Sequence, residues 1–281
     1  MDLIKLDQFP NVPADGVASL VTDKILDRTL YAIVLELGGT AFTKSMITNI
    51  RIRLDGKDII NGITAVELEK ISTYEGLTAE TNFLVIPFGD NTARTMRGQY
   101  LGAIDFSVYR KPLEIEIEIA GATAPTLSAR AQTDVPKALL GMGFVPAEVA
   151  QIRSLIRTVI QPSASVDRKS YALSLGGSPG ARLRRAIYLH SNLTKLEYKK
   201  GSFTKWDDVT VAQNANYQKQ FARVPQSGMY VLDRIADGNQ GGAETTIDQN
   251  GRPWSQEINI STSGSDTIKA FADVYIPWPL L

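Results

Sequence analysis

The sequence predicts an all-β fold: two tandem eight-stranded antiparallel sandwiches with a few short helices. Two observations carry this prediction. Through the first half of the chain, segments of alternating apolar and polar residues follow one another at short intervals, separated by Gly, Pro, Asn and Asp. One unit also recurs. Its first copy begins Asn49-Ile-Arg-Ile-Arg-Leu-Asp-Gly56, a strand with Ile50, Ile52 and Leu54 on one face and Arg51 and Arg53 on the other, followed by a turn and a polar-apolar helix over 57–70. The second copy spans 192–217: a strand carrying Leu193, Leu196 and Tyr198 runs to Gly201, and Trp206, Val209 and Tyr217 follow in a segment of helical character. Gly56 and Gly201 are 145 positions apart (201 − 56), close to half of the 281 residues. A chain longer than the ~100–200 residues of one domain fits such a duplication.

In order, residues 3–9 alternate weakly and Pro10-Asn11-Val12-Pro13 ends them. Strands are predicted over 17–21 and 29–37, and Gly38-Gly39 is expected to break the second. The strand at 50–54 and a helix around 65–74 come next. Residues 83–88 form a short apolar strand, which Pro87 assigns to a sheet edge or a strand end. After a polar loop at 89–98, residues 100–109 are rich in β-formers and predict a strand. Residues 113–119 alternate without a fault, Leu113, Ile115, Ile117 and Ile119 against Glu114, Glu116 and Glu118, which predicts a half-buried strand. A strand at 126–132 closes the first sandwich.

The character changes at Asp134-Val135-Pro136, so the first domain is expected over 1–135 and the second, with a linking helix, over 136–281. The helix is predicted at 146–160, where Val149, Ile152, Leu155, Ile156, Val159 and Ile160 share one helical face between Pro146 and Pro162. The second half then repeats the first. Residues 171–175 precede Gly176-Gly177 as 29–37 precede Gly38-Gly39, and a strand at 183–189 leads into the recurrent unit. Residues 229–232 stand 146 positions after 83–86, 257–260 match 113–119, and 267–276 match the last strand of the first half.

Thirty Lys and Arg balance thirty Asp and Glu, so charge points neither to nucleic acid nor to an anionic membrane surface, and no direct sequence-specific nucleic acid binding is expected. The absence of cysteine excludes disulfides, thiolate catalysis and cysteine-ligated zinc. The N-terminus has no basic-then-apolar signal pattern. No run approaches the ~20 apolar residues of a membrane span, and Glu36 interrupts the stretch from Leu30 to Leu37. The expectation is a chain used where it is synthesised.

No convergent catalytic set emerges, and an enzyme is not expected. His190 is the one histidine and lacks evident triad partners. Gly141-Met-Gly143 and Gly176-Gly-Ser-Pro-Gly180 are not phosphate loops. Glu114, Glu116 and Glu118 could hold a cation or act as a carboxylate pair, which glycoside hydrolysis needs at roughly 5–9.5 Å. Arginines on a neighbouring strand account for them more simply, and Arg51 and Arg53 alternate as required. Asp233, Asp237, Gly238 and Asn239 resemble a cation loop without EF-hand spacing and are read as a polar turn. Arg182, Arg184 and Arg185 form a dense basic cluster without interleaved aromatics, so contact with a neighbouring subunit or solvent is expected. Trp278, Leu280 and Leu281, beyond two strand-stopping prolines, have no later element to cover them and either tuck back onto their own domain or cover a neighbouring subunit.

Leu6-Asp-Gln-Phe-Pro-Asn-Val12, Asn49-Ile-Arg-Ile-Arg-Leu-Asp-Gly56, Leu127-Ser-Ala-Arg-Ala-Gln132 and the stretch from Gly201 to Asp208, in this element order, resemble a known family. It is the double jelly-roll major capsid proteins of membrane-containing icosahedral bacteriophages, of the corticovirus and tectivirus type. The resemblance implies a double jelly roll and a homotrimer forming pseudo-hexagonal capsomers of a virion capsid, assembled in the host cytoplasm. It also implies a vertex (penton) protein and an underlying viral membrane or its proteins as partners. Some relatives bind calcium; no motif here supports it, and no cofactor is expected. The sequence also admits two alternatives: a carbohydrate-binding or carbohydrate-active jelly-roll protein, for which Trp206 beside Asp207 and Asp208 is the one suitable grouping, and a trimeric phage spike or host-binding protein.

Overall fold

The computed structural model describes residues 1–172, 180–248 and 250–277. The chain divides into two compact units, Met1–Ser154 and Leu155–Ile276. The first unit begins with β1 (Asp2–Lys5), β2 (Gly16–Thr22), β3 (Thr29–Ala41), β4 (Ile47–Leu54) and β5 (Lys57–Ile63). α1 (Ala65–Tyr74), β6 (Phe83–Pro87), α2 (Met96–Tyr100), the two-residue β7 (Ile104–Asp105) and α3 (Phe106–Tyr109) follow, and β8 (Leu113–Ile119) and β9 (Thr123–Asp134) complete it. Its pairings are antiparallel. One sheet has the order β1-β9-β3-β6, with β7 on β3, and the other β5-β4-β8-β2. This interleaving of early and late strands is the order of a jelly roll.

Alternation explains the core. Ile50, Ile52 and Leu54 of β4 and Leu113, Ile115 and Ile117 of β8 are fully buried, each contributing about 1.5–3 kcal/mol relative to exposure. On the opposite face Arg51 pairs in register with Glu116 and Arg53 with Glu114. Arg53 lies 3.1 Å from Glu114 and also bonds Glu116, while Arg51 bonds Asp58 at 2.7 Å. Glu114 and Glu116 are partnered by arginines of the neighbouring strand, as the alternation required, whereas Glu118 faces Asn49. β6 is an edge strand and Pro87 ends it, also as expected. Gly38-Gly39, however, does not break β3, which pairs through Gly38–Thr126 and Gly39–Pro125 to Ala41. Gly39 has φ +105°, and a Cβ there would lie 2.1 Å from the Ala124 carbonyl oxygen, so the glycine serves a close strand approach.

In the second half of the chain the elements are α4 (Pro146–Val149), β10 (Gln151–Ile160), β11 (Val166–Ala172), β12 (Arg182–Leu189), β13 (Leu193–Lys200), β14 (Phe203–Thr210) and α5 (Val211–Lys219), then β15 (Met229–Asp233), β16 (Glu244–Thr245), β17 (Gln256–Thr262) and β18 (Ile268–Pro277). The sheets run β15-β12-β18-β10, with β16 on β12, and β11-β17-β13-β14. Strand for strand this is the order of the first unit. Residues match individually as well: Thr64 and Thr210 each cap a helix in a reciprocal box with Glu67 and Gln213. The Leu77 N–H donates to the Ser72 carbonyl as the Arg223 N–H donates to that of Gln218, and Phe83 bonds Glu80 as Met229 bonds Gln226. All these counterparts are 146 positions apart.

Five further expectations need correction. The segments after the two hairpin turns are strands first and helices second: β5 precedes α1, and β14 precedes α5. The two-residue turns also align one position differently, so that Gly201 stands at the place of Asp55 rather than of Gly56. Residues 100–109 are not one strand: only Ile104–Asp105 pair, as β7, between two short helices. The Thr95 and Asp105 side chains accept from the N–H groups of Gly98 and Ser107 and start α2 and α3, which local capping favours over β-propensity.

The predicted linking helix at 146–160 is one helical turn, α4, followed by the strand β10. Ile152, Ile156 and Ile160 recur every four residues, and an even spacing keeps one face of a strand as well as one of a helix. Gln151 to Leu155 are buried on both faces, which erases the alternation that would have revealed a strand. Arg153 is accommodated there by Glu75 at 2.9 Å and the Pro87 carbonyl at 3.3 Å. Finally, residues 171–172 end β11, the counterpart of β2 rather than β3. Residues 173–179, including Gly176 and Gly177, lie outside the described residues.

Candidate functional site

Arg182, Arg184 and Arg185 stand on β12. Leu183 faces Val274 and Arg185 faces Asp273 on β18, so Arg184 is an extra residue, a bulge that turns its side chain toward the same carboxylate. Arg184 holds both Asp273 oxygens at 2.9 Å, with its guanidinium 4.9 Å from the Tyr275 ring centre. Arg185 donates to Asp233 at 3.0 Å and lies 3.6 Å from Asp273, and Arg223 lies 3.6 Å from Asp233. Arg184, Arg185, Asp233 and Asp273 have fully buried side chains. The expectation that Arg184 and Arg185 meet a neighbouring subunit or solvent is therefore corrected: they are internal, held by a carboxylate on each flanking strand. A sequence signal existed in Asp233, alone in an otherwise apolar strand, and in Asp273 amid the apolar run from Ala270 to Ile276. Half-buried Arg182 donates to the carbonyls of Gln240, Gly241 and Ala243. Trp278, Leu280 and Leu281 lie outside the described residues.

The first unit has the same bulge with different chemistry. Leu30 faces Thr133 and Ala32 faces Gln132, which makes Tyr31 the extra residue. Its carbonyl accepts from the Phe88 N–H at 2.9 Å, as the Arg184 carbonyl accepts from Arg234 at 2.9 Å. The Tyr31 ring lies 5.2 Å from that of Tyr100, whose hydroxyl donates to Asp134 at 2.7 Å. Burial raises both phenols well above their usual range, with Asp134 adding to the shift of Tyr100. An aromatic pair thus fills in one unit the bulge that an ion cluster fills in the other.

Lys137 is also internal. Its ammonium donates to the carbonyls of Leu101 and Gln151 at 3.1 Å and of Glu148 at 3.3 Å. Burial pushes it down to about 7. This one cation ties the segment after β9 to the first unit. Of the other sequence candidates, Asp233 is engaged by arginines, while the Asp237 and Asn239 side chains accept from the N–H groups of Asn239 and Gly241, as in a polar turn. His190 follows β12, and its N–H bonds the Gly228 carbonyl. Among the described residues no three His, Cys, Asp or Glu are grouped to hold a metal. The Trp206 indole donates to the Tyr230 hydroxyl at 2.7 Å and packs edge-on against Tyr217, and Asp208 pairs with Lys195. Trp206 and Asp208 of the grouping that the carbohydrate reading required are thus engaged by other side chains of the fold, and Asp207 stands exposed.

Two family models match the chain: the viral coat protein P2 N-terminal domain over residues 3–134 and the viral coat protein P2 C-terminal domain over residues 152–278. The chain belongs to the viral coat protein P2 family. Its role is structural, not enzymatic, and its place is the virion capsid. The coat protein resembles the crystal structure of the major capsid protein P2 from bacteriophage PM2, with a TM-score of 0.84 and 19% identity over 99% of this chain and 97% of that one. The STIV MCP matches with a TM-score of 0.67 and 13% identity, covering 100% and 98%. PBCV-1 VP54 fitted into the virophage Sputnik matches with a TM-score of 0.60 and 10% identity, covering 99% and 95%. The shared fold is the double jelly roll. No curated protein sequence matches the chain.

The surface of the coat protein offers positions that the sequence reading passed over. Val17 and Val21 on β2 are 50% and 60% exposed, while Ala18 and Leu20 between them are buried. The signal was available: nearly every position of Gly16-Val-Ala-Ser-Leu-Val21 is apolar or small, too many for a strand with one face in water.

Proposed function

We propose that the coat protein forms a homotrimer whose six jelly rolls make a pseudo-hexagonal capsomer, and that these capsomers tile an icosahedral shell. The observation that carries this reading is the matched strand order of the two units, with counterparts held 146 positions apart through the hairpin, helix and edge strand. Three such chains supply six similar lateral faces, an arrangement suited to hexagonal packing. A similar structure, from Sulfolobus turreted icosahedral virus, supports the icosahedral part. In this reading residues 1–135 form the first jelly roll and 136–281 the lead-in and second. Val17, Val21, Arg182, Trp278, Leu280 and Leu281 contact neighbouring subunits, and a vertex protein and an underlying membrane or its proteins complete the shell.

Light scattering on the purified full chain at micromolar concentration tests the trimer, with electron microscopy for hexagonal outlines. A trimer without added metal is expected. A stable monomer would sink the capsomer reading.

A further inference from the structure

α1 and β6 of the first unit enclose a cavity of about 60 Å³ lined by Ser72, Leu77, Glu80, Phe83, Leu84 and Val85, among others. The Ser72 side chain lies in this wall, and its hydroxyl is buried without a hydrogen-bond partner. A buried unsatisfied hydroxyl costs free energy unless a partner arrives.

The second unit shows what occupies the same place there. Ser72 corresponds to Gln218, Leu77 to Arg223 and Val85 to Val231, each 146 positions on. Gln218 Nε2 donates to the Val231 carbonyl at 2.8 Å, and Asn214 Nδ2, the counterpart of Leu68, donates to the same oxygen at 3.0 Å. Two carboxamides thereby cap the outer edge of β15. Val231 faces Ile187 on β12 as Val85 faces Val34 on β3, so the Val85 carbonyl points toward α1 in the same manner. Where the second unit has Gln and Arg, the first has Ser and Leu. The cavity lies beside Ser72, whose side chain is shorter than that of Gln218 by about one carboxamide.

The first unit also frames this opening with residues the second lacks. Counterparts on β3 and β12 are 153 positions apart and those on α1 and α5 are 146, so seven extra residues lie between β3 and α1. They bring in Lys44, which donates to the Glu80 carbonyl at 2.5 Å and pairs with Glu69 at the cavity wall. Phe83, 43% exposed, gives the mouth an apolar rim.

We propose that this cavity binds the side-chain carboxamide of an asparagine or glutamine presented by another polypeptide. The amide N–H donates to the Val85 carbonyl, and the amide oxygen accepts from the Ser72 hydroxyl. The mouth residues, Phe83 foremost, cover the methylene stem. The site is independent of how the jelly rolls are arranged in a capsomer.

The test is methyl NMR on the full chain, titrated with N-acetyl-glutamine methylamide and, separately, with N-acetyl-alanine methylamide, which has the same backbone amides and no side-chain amide. Saturable shifts of the Leu77, Leu84 and Val85 methyls in the millimolar range are expected with the first probe and not the second. Ser72→Gln, which supplies the amide from the chain itself, should weaken binding at least about tenfold, and Ser72→Ala should weaken it several-fold. Should Ser72→Gln not fold, Gln218→Ser provides a second arm, because it opens the equivalent place beside α5 and should create a second saturable site. Absence of saturable shifts, equal shifts with the alanine probe, or undiminished binding by Ser72→Ala would each overturn the proposal and leave a cavity that holds water only.

Discussion

Two buried guanidinium groups converge on Asp273, one bidentate at 2.9 Å and one at 3.6 Å. Asp273→Ala leaves both in a dry interior, and a loss of roughly 3–5 kcal/mol is expected in denaturant unfolding. The same change at half-exposed Asp208, which pairs with Lys195, should cost under about 1 kcal/mol. Lys137 adds a pH dependence of definite sign. Its ammonium titrates at about 7 in the folded chain, against an ordinary value of 10.5. The penalty for burying the charge is fully present below pH 7, and it is relieved as pH rises through the interval to 10.5, where only the unfolded chain still holds the proton. Unfolding free energy should therefore climb with pH across that interval, by up to about 1.4 kcal/mol per unit. The difference between the natural chain and Lys137→Met isolates this contribution, and an equal slope in both would refute it.

Among the elements, α1 and α5 rest on the same reciprocal cap. Thr64→Ala and Thr210→Ala should each lower stability by about 1 kcal/mol. Because the two caps share no partners, the double variant should lose the sum, as read from chemical denaturation. How far each element could be read from sequence followed its burial. β8 was legible residue by residue because one face is apolar and the other carries glutamates. β10 was not, because its first half is buried on both sides and Arg153 enters the interior through a glutamate far away in sequence. β5 and β14 were lost to the helices behind them, whose Thr-x-x-Glu and Thr-x-x-Gln boxes set helix starts at Ala65 and Val211, eight residues (65 − 57, 211 − 203) after the strands begin. The arginines of β12 were misread for a related reason. A run of basic residues resembles a surface until the carboxylates of strands some fifty and ninety positions away are brought beside it.

At the scale of the whole molecule, duplication was legible from order and spacing alone, although low identity between the halves hid which strands correspond. The contacts between copies of the chain were not legible in this way, since a face covered only on assembly has no periodicity of its own. Val17 and Val21 give that face a testable position. Val17→Lys with Val21→Lys, which face Glu118 and Glu114 in register, should weaken self-association in light scattering while shifting the melting temperature of the chain by little. A large fall in melting temperature with unchanged association would instead place these side chains in the fold. The constant 146-position offset has a practical consequence. From the end of β4 to the end of β6 the first unit has the same length as the second from the end of β13 to the end of β15, so residues 54–87 and 200–233 form interchangeable cassettes. A chimera carrying either cassette twice would need no loop redesign, and it would separate what a jelly roll owes to its own sequence from what it owes to being first or second in the chain.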